Sequence, residues 1–281
     1  MKSPDESLNA SVIRIRPVSG GVRLNLGDLW EYRELLYFLV WRDLKVRYKQ
    51  TVLGAAWAII QPLFLMLVFT VFFGRLIGVP SEGLPYSIFA YTALLPWQLF
   101  ARALSDASVS LVANERVITK VYFPRLLVPA AAVISSLVDF AIAFVLLLGM
   151  MLFYGVYPGS AIIALPVFIL LVLIAALGVG FWLSALNAIY RDVRYTLPFL
   201  TQLWMFATPV VYPSSLVPRE WWFLYSLNPM VGVVEGFRWS LLGKAAPSET
   251  MLVVSAAAVL FIFGAGIVYF GRMEQTLADV I

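Results

Sequence analysis

The stretch Ala161-Ile-Ile-Ala-Leu-Pro-Val-Phe-Ile-Leu-Leu-Val-Leu-Ile-Ala-Ala-Leu-Gly-Val-Gly-Phe-Trp-Leu-Ser-Ala-Leu-Asn-Ala-Ile189 contains no charged side chain. At 1.5 Å rise per residue it makes a helix of about 43 Å, more than the ~30 Å hydrocarbon core of a bilayer. The rest of the chain agrees. Its 281 residues are 62% hydrophobic and 13% charged, with a mean hydropathy of +0.88, whereas a soluble domain is about one quarter charged. Reading outward for runs of about 20 apolar residues gives six spans, at 57–77, 86–104, 126–153, 161–189, 196–212 and 251–270. The fifth is the shortest. The expected fold class is therefore an all-α integral membrane protein with six transmembrane helices.

The segment between Pro213 and Gly243 is apolar in pieces, but Pro213, Pro218 and Pro229 divide it into lengths too short to cross. Glu235 and Arg238 within it are costly in lipid. It reads as short re-entrant or interfacial helices before the last span, covered by protein or lining a water-filled cavity. An even number of crossings puts both termini on one side. Residues 1–54 carry nine Lys or Arg, and Arg116, Lys120, Arg125, Arg191, Arg194 and Arg272 fall on the same side. The opposite side holds Arg219, Arg238 and Lys244, so both termini are expected in the cytoplasm.

Three segments follow from this division: a cytoplasmic arm at 1–28, an amphipathic interface helix at 29–50, and a six-span domain at 51–281. The arm has no apolar run of a secretory signal, and Ser11-Val-Ile-Arg-Ile-Arg-Pro17 alternates like a short strand. In the interface helix Leu29, Tyr32, Leu36, Leu39, Val40 and Leu44 recur at helical spacing, with Glu31, Glu34, Arg42, Lys45 and Lys49 largely opposite. Its acidic start and basic end match the helix dipole, and the basic end suits anionic headgroups.

Catalytic chemistry is scarce. The sequence has no cysteine and no histidine, so thiolate catalysis is excluded and any metal site would use carboxylates alone. Asp139 is the only acidic residue deep in a predicted span, and a structural, hydrogen-bonded role is expected for it. A phosphate-binding G-x-x-x-x-G-K-[ST] loop does not occur, since Gly243-Lys244 is followed by Ala245. If ATP drives this protein, another subunit binds it with its Mg. The connection at 105–125 is long and polar, and a short helix within it can act as a lever. Phe64, Phe72, Trp97, Phe100, Trp204 and Phe206 lie within predicted spans, where aromatic faces suit the C–H faces of sugars; helix packing accounts for them equally well. Gly74-x-x-x-Gly78 and Gly232-x-x-x-Gly236 have the spacing of close helix crossings.

Arg42-Asp-Leu-Lys-Val-Arg-Tyr-Lys-Gln-Thr-Val-Leu-Gly54 followed by Trp57-Ala-Ile-Ile-Gln-Pro62 resembles the start of polysaccharide-export permeases of the ABC type-2 transporter family, which serve O-antigen, capsule and teichoic-acid export. The order of the remaining motifs fits the same family: Leu95-Pro-Trp-Gln-Leu-Phe100, Phe123-Pro-Arg125, Asn187-Ala-Ile-Tyr-Arg-Asp-Val193, Thr208-Pro-Val-Val-Tyr-Pro213 and Asn228-Pro-Met230. The resemblance implies a permease subunit that is not itself an enzyme. It would form a homodimer, pair with two copies of a separate nucleotide-binding ATPase, and export a lipid-linked glycan such as O-antigen across the inner membrane of a bacterium. Membrane lipids are implied as partners, and nucleic acid is not.

The same resemblance implies roles for particular residues. Trp41, Arg42, Lys45 and Arg47 would lie on the interface or gate helix. Asn114, Glu115, Arg116, Lys120 and Tyr122 would form the coupling helix received by the ATPase, with Arg191 and Asp192 as a second contact. Trp221, Trp222, Tyr225, Glu235 and Arg238 would belong to the outer gate at 214–243. Rival readings are an exporter of a small lipid or drug with the same fold, and an ion-coupled secondary transporter. The second is disfavoured because no pair of broken helices recurs in corresponding halves.

Overall fold

The computed structural model describes residues 30–49, 54–121, 123–243 and 246–280. The arm at 1–28, Tyr122 and Lys244 lie outside the described residues, as does the strand-like 11–17. The described chain is all-helical. In order, α1 is Arg33–Lys49 and α2 is Trp57–Phe69, continued by π-helical turns at Thr70–Ile77. Next come α3 at Tyr86–Ala113, the single turn α4 at Glu115–Ile118, and α5 at Leu127–Tyr154. Then follow α6 at Leu165–Ile189, α7 at Val193–Phe206, α8 at Trp222–Ser226, α9 at Pro229–Leu242 and α10 at Glu249–Val280.

Among the described residues, four helical stretches are long and apolar enough to cross a membrane: Trp57–Ile77, Leu127–Tyr154, Ser160–Ile189 and Glu249–Glu274. Two predicted spans differ from these for different reasons. Helix α3 has 28 residues, ample length, but it is less apolar because it is enclosed by protein: every residue from Tyr86 to Trp97 is buried. It packs along α5 and α6 and also touches α2, α7 and α9. A helix that other helices cover can carry Thr92, Ser108 and Ser110, whose hydroxyls donate to carbonyls of their own helix. Helix α7 has 14 residues, about 21 Å. Chain that the sequence assigned to its far end instead forms turns at 207–212.

The prolines divide the 213–243 region into short helices, as the sequence implies. Short 3₁₀ turns at Ser214–Leu216 and Arg219–Trp221 lead into α8, and α9 follows. Pro229 sits in the first turn of α9, where its missing N–H is no loss, and the side chain of Asn228 caps the helix by accepting from the Met230 N–H at 3.0 Å. Helix α1 differs from its expected two-sided pattern. Leu39 is buried against the bundle, yet Trp30, Tyr37, Phe38 and Trp41 on the outer side are exposed, so apolar surface faces both ways. Rings with an apolar body and polar edge suit the headgroup layer.

Small residues set the closest contacts. At the α6–α10 crossing, a Cβ on Gly178 would lie 2.7 Å from the Phe263 backbone, and one on Gly266 would lie 2.2 Å from the Gly178 carbonyl oxygen. Gly236 of α9 accepts the ring of Phe168 of α6 at a distance no Cβ allows. Neither crossing can take a larger residue without separating helices. Gly178→Leu or Gly266→Leu is expected to lower stability by about 3 kcal/mol or more, the upper end of overpacking costs. Gly149→Ala, where an added Cβ meets no neighbouring element, should melt at or slightly above the wild type when thermal midpoints of the purified proteins are compared, since alanine suits a helix interior better than glycine.

Candidate functional site

Polar side chains gather at the two ends of the bundle. At the first end α1 is fixed by ions. Arg47 donates from Nη1 to Asp139 of α5 at 2.6 Å and from Nη2 to Asp106 of α3 at 2.5 Å. The neighbouring Tyr48 hydroxyl donates to the other oxygen of Asp139, and Arg102 reaches Asp106 from one turn away at 3.1 Å. Burial, and then the bond to Asp139, push the Tyr48 hydroxyl up to about 12, so it stays a donor at any physiological pH. Arg47 is thus turned inward, away from the headgroups where the sequence put the basic end of this helix. Asp139 is hydrogen-bonded as expected, but it does not stand alone: α3 runs nine residues past the predicted span end at 104, and this carries Asp106 to it.

Beside this network lies a cavity of about 520 Å³ between the end of α1 and helices α2, α3 and α5. Arg47, Tyr48, Gln61, Gln98 and Asp139 contribute its polar wall, and Trp57, Leu95 and Phe140 its apolar one.

The same end bears the connection after α3. Asn114 closes α3 by donating to the Ser110 carbonyl at 2.7 Å, and the chain turns at once into α4. Ile118 plugs α4 into a cluster with Leu39, Leu111, Phe123 and Phe270. That leaves Glu115, Arg116 and Lys120 exposed on a short turn with a fixed base. Arg125 ties the connection to α10, donating from Nη1 to the Glu274 carbonyl at 3.2 Å. The turn with Arg191 and Asp192, also exposed, is brought to this end by Asn187, which donates to the Ser108 carbonyl at 3.0 Å.

At the opposite end Arg238 is 2% exposed. It donates to Glu235 at 3.0 Å, to the Val210 carbonyl at 3.0 Å and to the Tyr212 carbonyl at 3.3 Å. Its guanidinium carbon lies 3.7 Å from the centre of the Phe89 ring. Glu235 also accepts from the Ser214 N–H at 3.3 Å. These two charges, costly in lipid, are held inside protein and close the turns after α7. Asn228 closes them from the other side: it accepts from Trp204 Nε1 at 3.0 Å and donates to Thr208 at 2.9 Å and the Ala207 carbonyl at 3.2 Å. The two separate motifs at 208–213 and 228–230 thereby become one unit. Tyr225 joins through a hydroxyl contact with Tyr212 at 3.2 Å, and Trp222 donates to the Val217 carbonyl at 2.9 Å. Trp221 is exposed.

The candidate path aromatics divide. Trp97 and Phe100 are buried inside the protomer, in contact with Trp204 at ring separations of 6.3 and 5.1 Å. Phe64, Phe72 and Phe206 are exposed. On α1, Trp41 and Lys45 are exposed, with the ammonium 5.2 Å from the indole centre, and Arg42 pairs with Asp43 at 2.6 Å. Sequence reasoning missed Asp106, Tyr48, Arg102 and Gln98. The usable signal was charge matching: an acid in an apolar helix calls for a base, and Arg47 is the arginine nearest the start of the first span.

A bundle of long apolar helices with ion-clamped ends defines a multi-pass membrane protein. The chain belongs to the ABC-2 type transporter family, whose profile it matches over residues 34–242. It is 30% identical over 251 residues to the O-antigen export system permease protein RfbA of Myxococcus xanthus, covering 88% of this chain and 96% of that one. The protein of the same name from Klebsiella pneumoniae is 25% identical, over 92% and 98% of the two chains. The polysialic acid transport protein KpsM of Escherichia coli is 23% identical over 69% of this chain and 76% of its own.

Replacing Arg47 by Met would leave Asp139 without a cation and Asp106 with only the exposed Arg102. Breaking a buried pair costs ~3–5 kcal/mol; these side chains keep 16 to 25% exposure, so about 2 kcal/mol is expected. Adding Asp106→Asn and Asp139→Asn should restore at least half of the loss in denaturation of the purified protein.

Proposed function

We propose that this chain is the permease subunit of an ATP-binding-cassette exporter that moves a lipid-linked polysaccharide, such as O-antigen, across the inner membrane of a bacterium. The observation that carries this reading is the near end-to-end similarity to the O-antigen export permease of Myxococcus xanthus. Two copies form a homodimer around a shared path, and each pairs with a nucleotide-binding subunit that holds ATP and Mg. Six crossings put both termini in the cytoplasm: the four long apolar helices, α3 shielded at the centre, and α7 completed by the turns at 207–212.

In this arrangement the end bearing α1 and α4 is cytoplasmic. The domains are a cytoplasmic arm at 1–28, an interface helix at 29–50 whose exposed rings rest among headgroups, and the transmembrane domain at 51–281. The Asn114 to Lys120 turn, with Tyr122 beyond it, seats in the ATPase through its exposed Glu115, Arg116 and Lys120, and Arg191 and Asp192 make a second contact. Force on α4 passes through the rigid α3 to Asp106 and so to Arg47 and the gate helix, where Trp41, Arg42 and Lys45 face the membrane surface. At the outer end Trp221, Trp222, Tyr225, Glu235 and Arg238 form the gate. Phe64, Phe72 and Phe206 offer ring faces to the path, while Trp97 and Phe100 position Trp204 beside it. Ring faces hold sugars weakly and out of register, which lets a chain slide.

The absence of cysteine makes topology directly testable. Cysteine placed at Ser215 or Ser248 should react with an impermeant maleimide from outside intact cells, and at Ser3 or Thr276 only after permeabilisation. Reaction at Ser3 from outside would refute the six-span arrangement. Coupling is tested by Arg116→Glu combined with Lys120→Glu. Surface glycan should fall at least tenfold in cells whose only permease is this variant, with the membrane-inserted amount unchanged and ATP hydrolysis persisting. Export at the wild-type level would remove α4 from the coupling role.

A further inference from the structure

The cavity between α1, α2, α3 and α5 is lined by residues of one protomer. Its charges are already matched. Arg47 pairs with both Asp106 and Asp139, and Arg102 pairs with Asp106, two cations against two anions. A phosphate would have to break these pairs to find a cation, and an ammonium would have to break them to find an anion. What remains for an occupant is neutral hydrogen bonding. Gln98 contributes a side-chain amide to the cavity wall. Gln61, Ser105 and Ser136 add further neutral donors and acceptors, and Trp57 and Phe140 supply ring surfaces.

Amides and hydroxyls on one wall and aromatic faces on the other match a pyranose, which carries hydroxyls around its rim and C–H groups on its faces. At about 520 Å³ the cavity falls within the ~300–1,000 Å³ of small-molecule sites, room for a disaccharide and far too little for a polymer. We infer that this cavity binds one or two neutral sugar units of the exported glycan inside a single protomer. An occupant here touches Arg47 and Asp139, the groups that fasten α1, so its arrival is felt by the gate helix. This inference rests on the polysaccharide-export reading above.

The probe is a decyl maltoside bearing a diazirine in its alkyl chain, with a decyl phosphate carrying the same diazirine for comparison. Both are applied to the assembled permease–ATPase complex in lipid nanodiscs. The maltoside should label peptides around 57–61 and 95–102, excess unmodified maltoside should compete, and the phosphate should label these peptides at least fivefold less. Gln98→Leu and, separately, Gln61→Leu should each reduce labelling at least threefold at unchanged thermal midpoint. Equal labelling by the phosphate, labelling without preference for these peptides, or full labelling in both variants would overturn the site. The same wild-type complex is scored for surface glycan in cells lacking any other permease. Export without maltoside labelling removes the cavity site alone, whereas absence of export removes the functional reading on which it rests.

Discussion

Helix α3 is enclosed on every side for its first twelve residues, and the rest of the bundle is arranged by the need to enclose it. A backbone in hydrocarbon must satisfy its own hydrogen bonds, but its side chains face the same demand, and α3 carries Tyr86, Thr92, Gln98 and Asp106. Surrounding it with α2, α5, α6, α7 and α9 replaces lipid by partners: Tyr86 donates to the Val211 carbonyl at 2.6 Å and Tyr91 to the Ala143 carbonyl at 3.1 Å. The cost in apolarity that makes α3 look unlike a span is the consequence of its central place.

Each end of this axis is fastened by one arginine. Arg47 reaches in from outside the bundle and holds two carboxylates on different helices, while Arg238 reaches across from α9 and holds a carboxylate, two carbonyls and the face of Phe89. Both use the planar fork of guanidinium to serve several acceptors at once, which an ammonium on a flexible stem does poorly. The arrangement differs in firmness. Arg238 is sealed in protein, and Arg47 borders a cavity that admits water or a ligand.

What the sequence made legible follows from range. Long apolar runs identified the four longest apolar helices because a bilayer imposes a single length and polarity on its spans. Prolines at 213, 218 and 229 disclosed the broken region, since a missing N–H is a local fact. Asp139 was recognised as buried and bonded, yet its partners were not, because Arg47 lies 92 residues away along the chain and Asp106 falls outside the apolar window. Trp97, Phe100, Phe64, Phe72 and Phe206 share a composition and a periodicity but not a location. Which way a ring points in an all-apolar helix is decided by neighbours that periodicity does not name. The double face of α1 escaped for the same reason: aromatic residues such as Trp30 and Phe38 score as core, while the headgroup layer accepts them at the surface.

At the α6–α10 crossing two glycines let the backbones touch with no side chain between them. Sliding one helix past the other would drive a neighbouring residue's side chain into the opposite backbone, and the pair therefore turns as one piece. With α9 seated on both through Gly232 and Gly236, these three helices make a stator. Helix α1, bordering a cavity and tied by ion pairs rather than by interlocked backbones, is the more compliant element. In the proposed export cycle, α1 would move on one flank of α3 against a frame made by α6, α9 and α10.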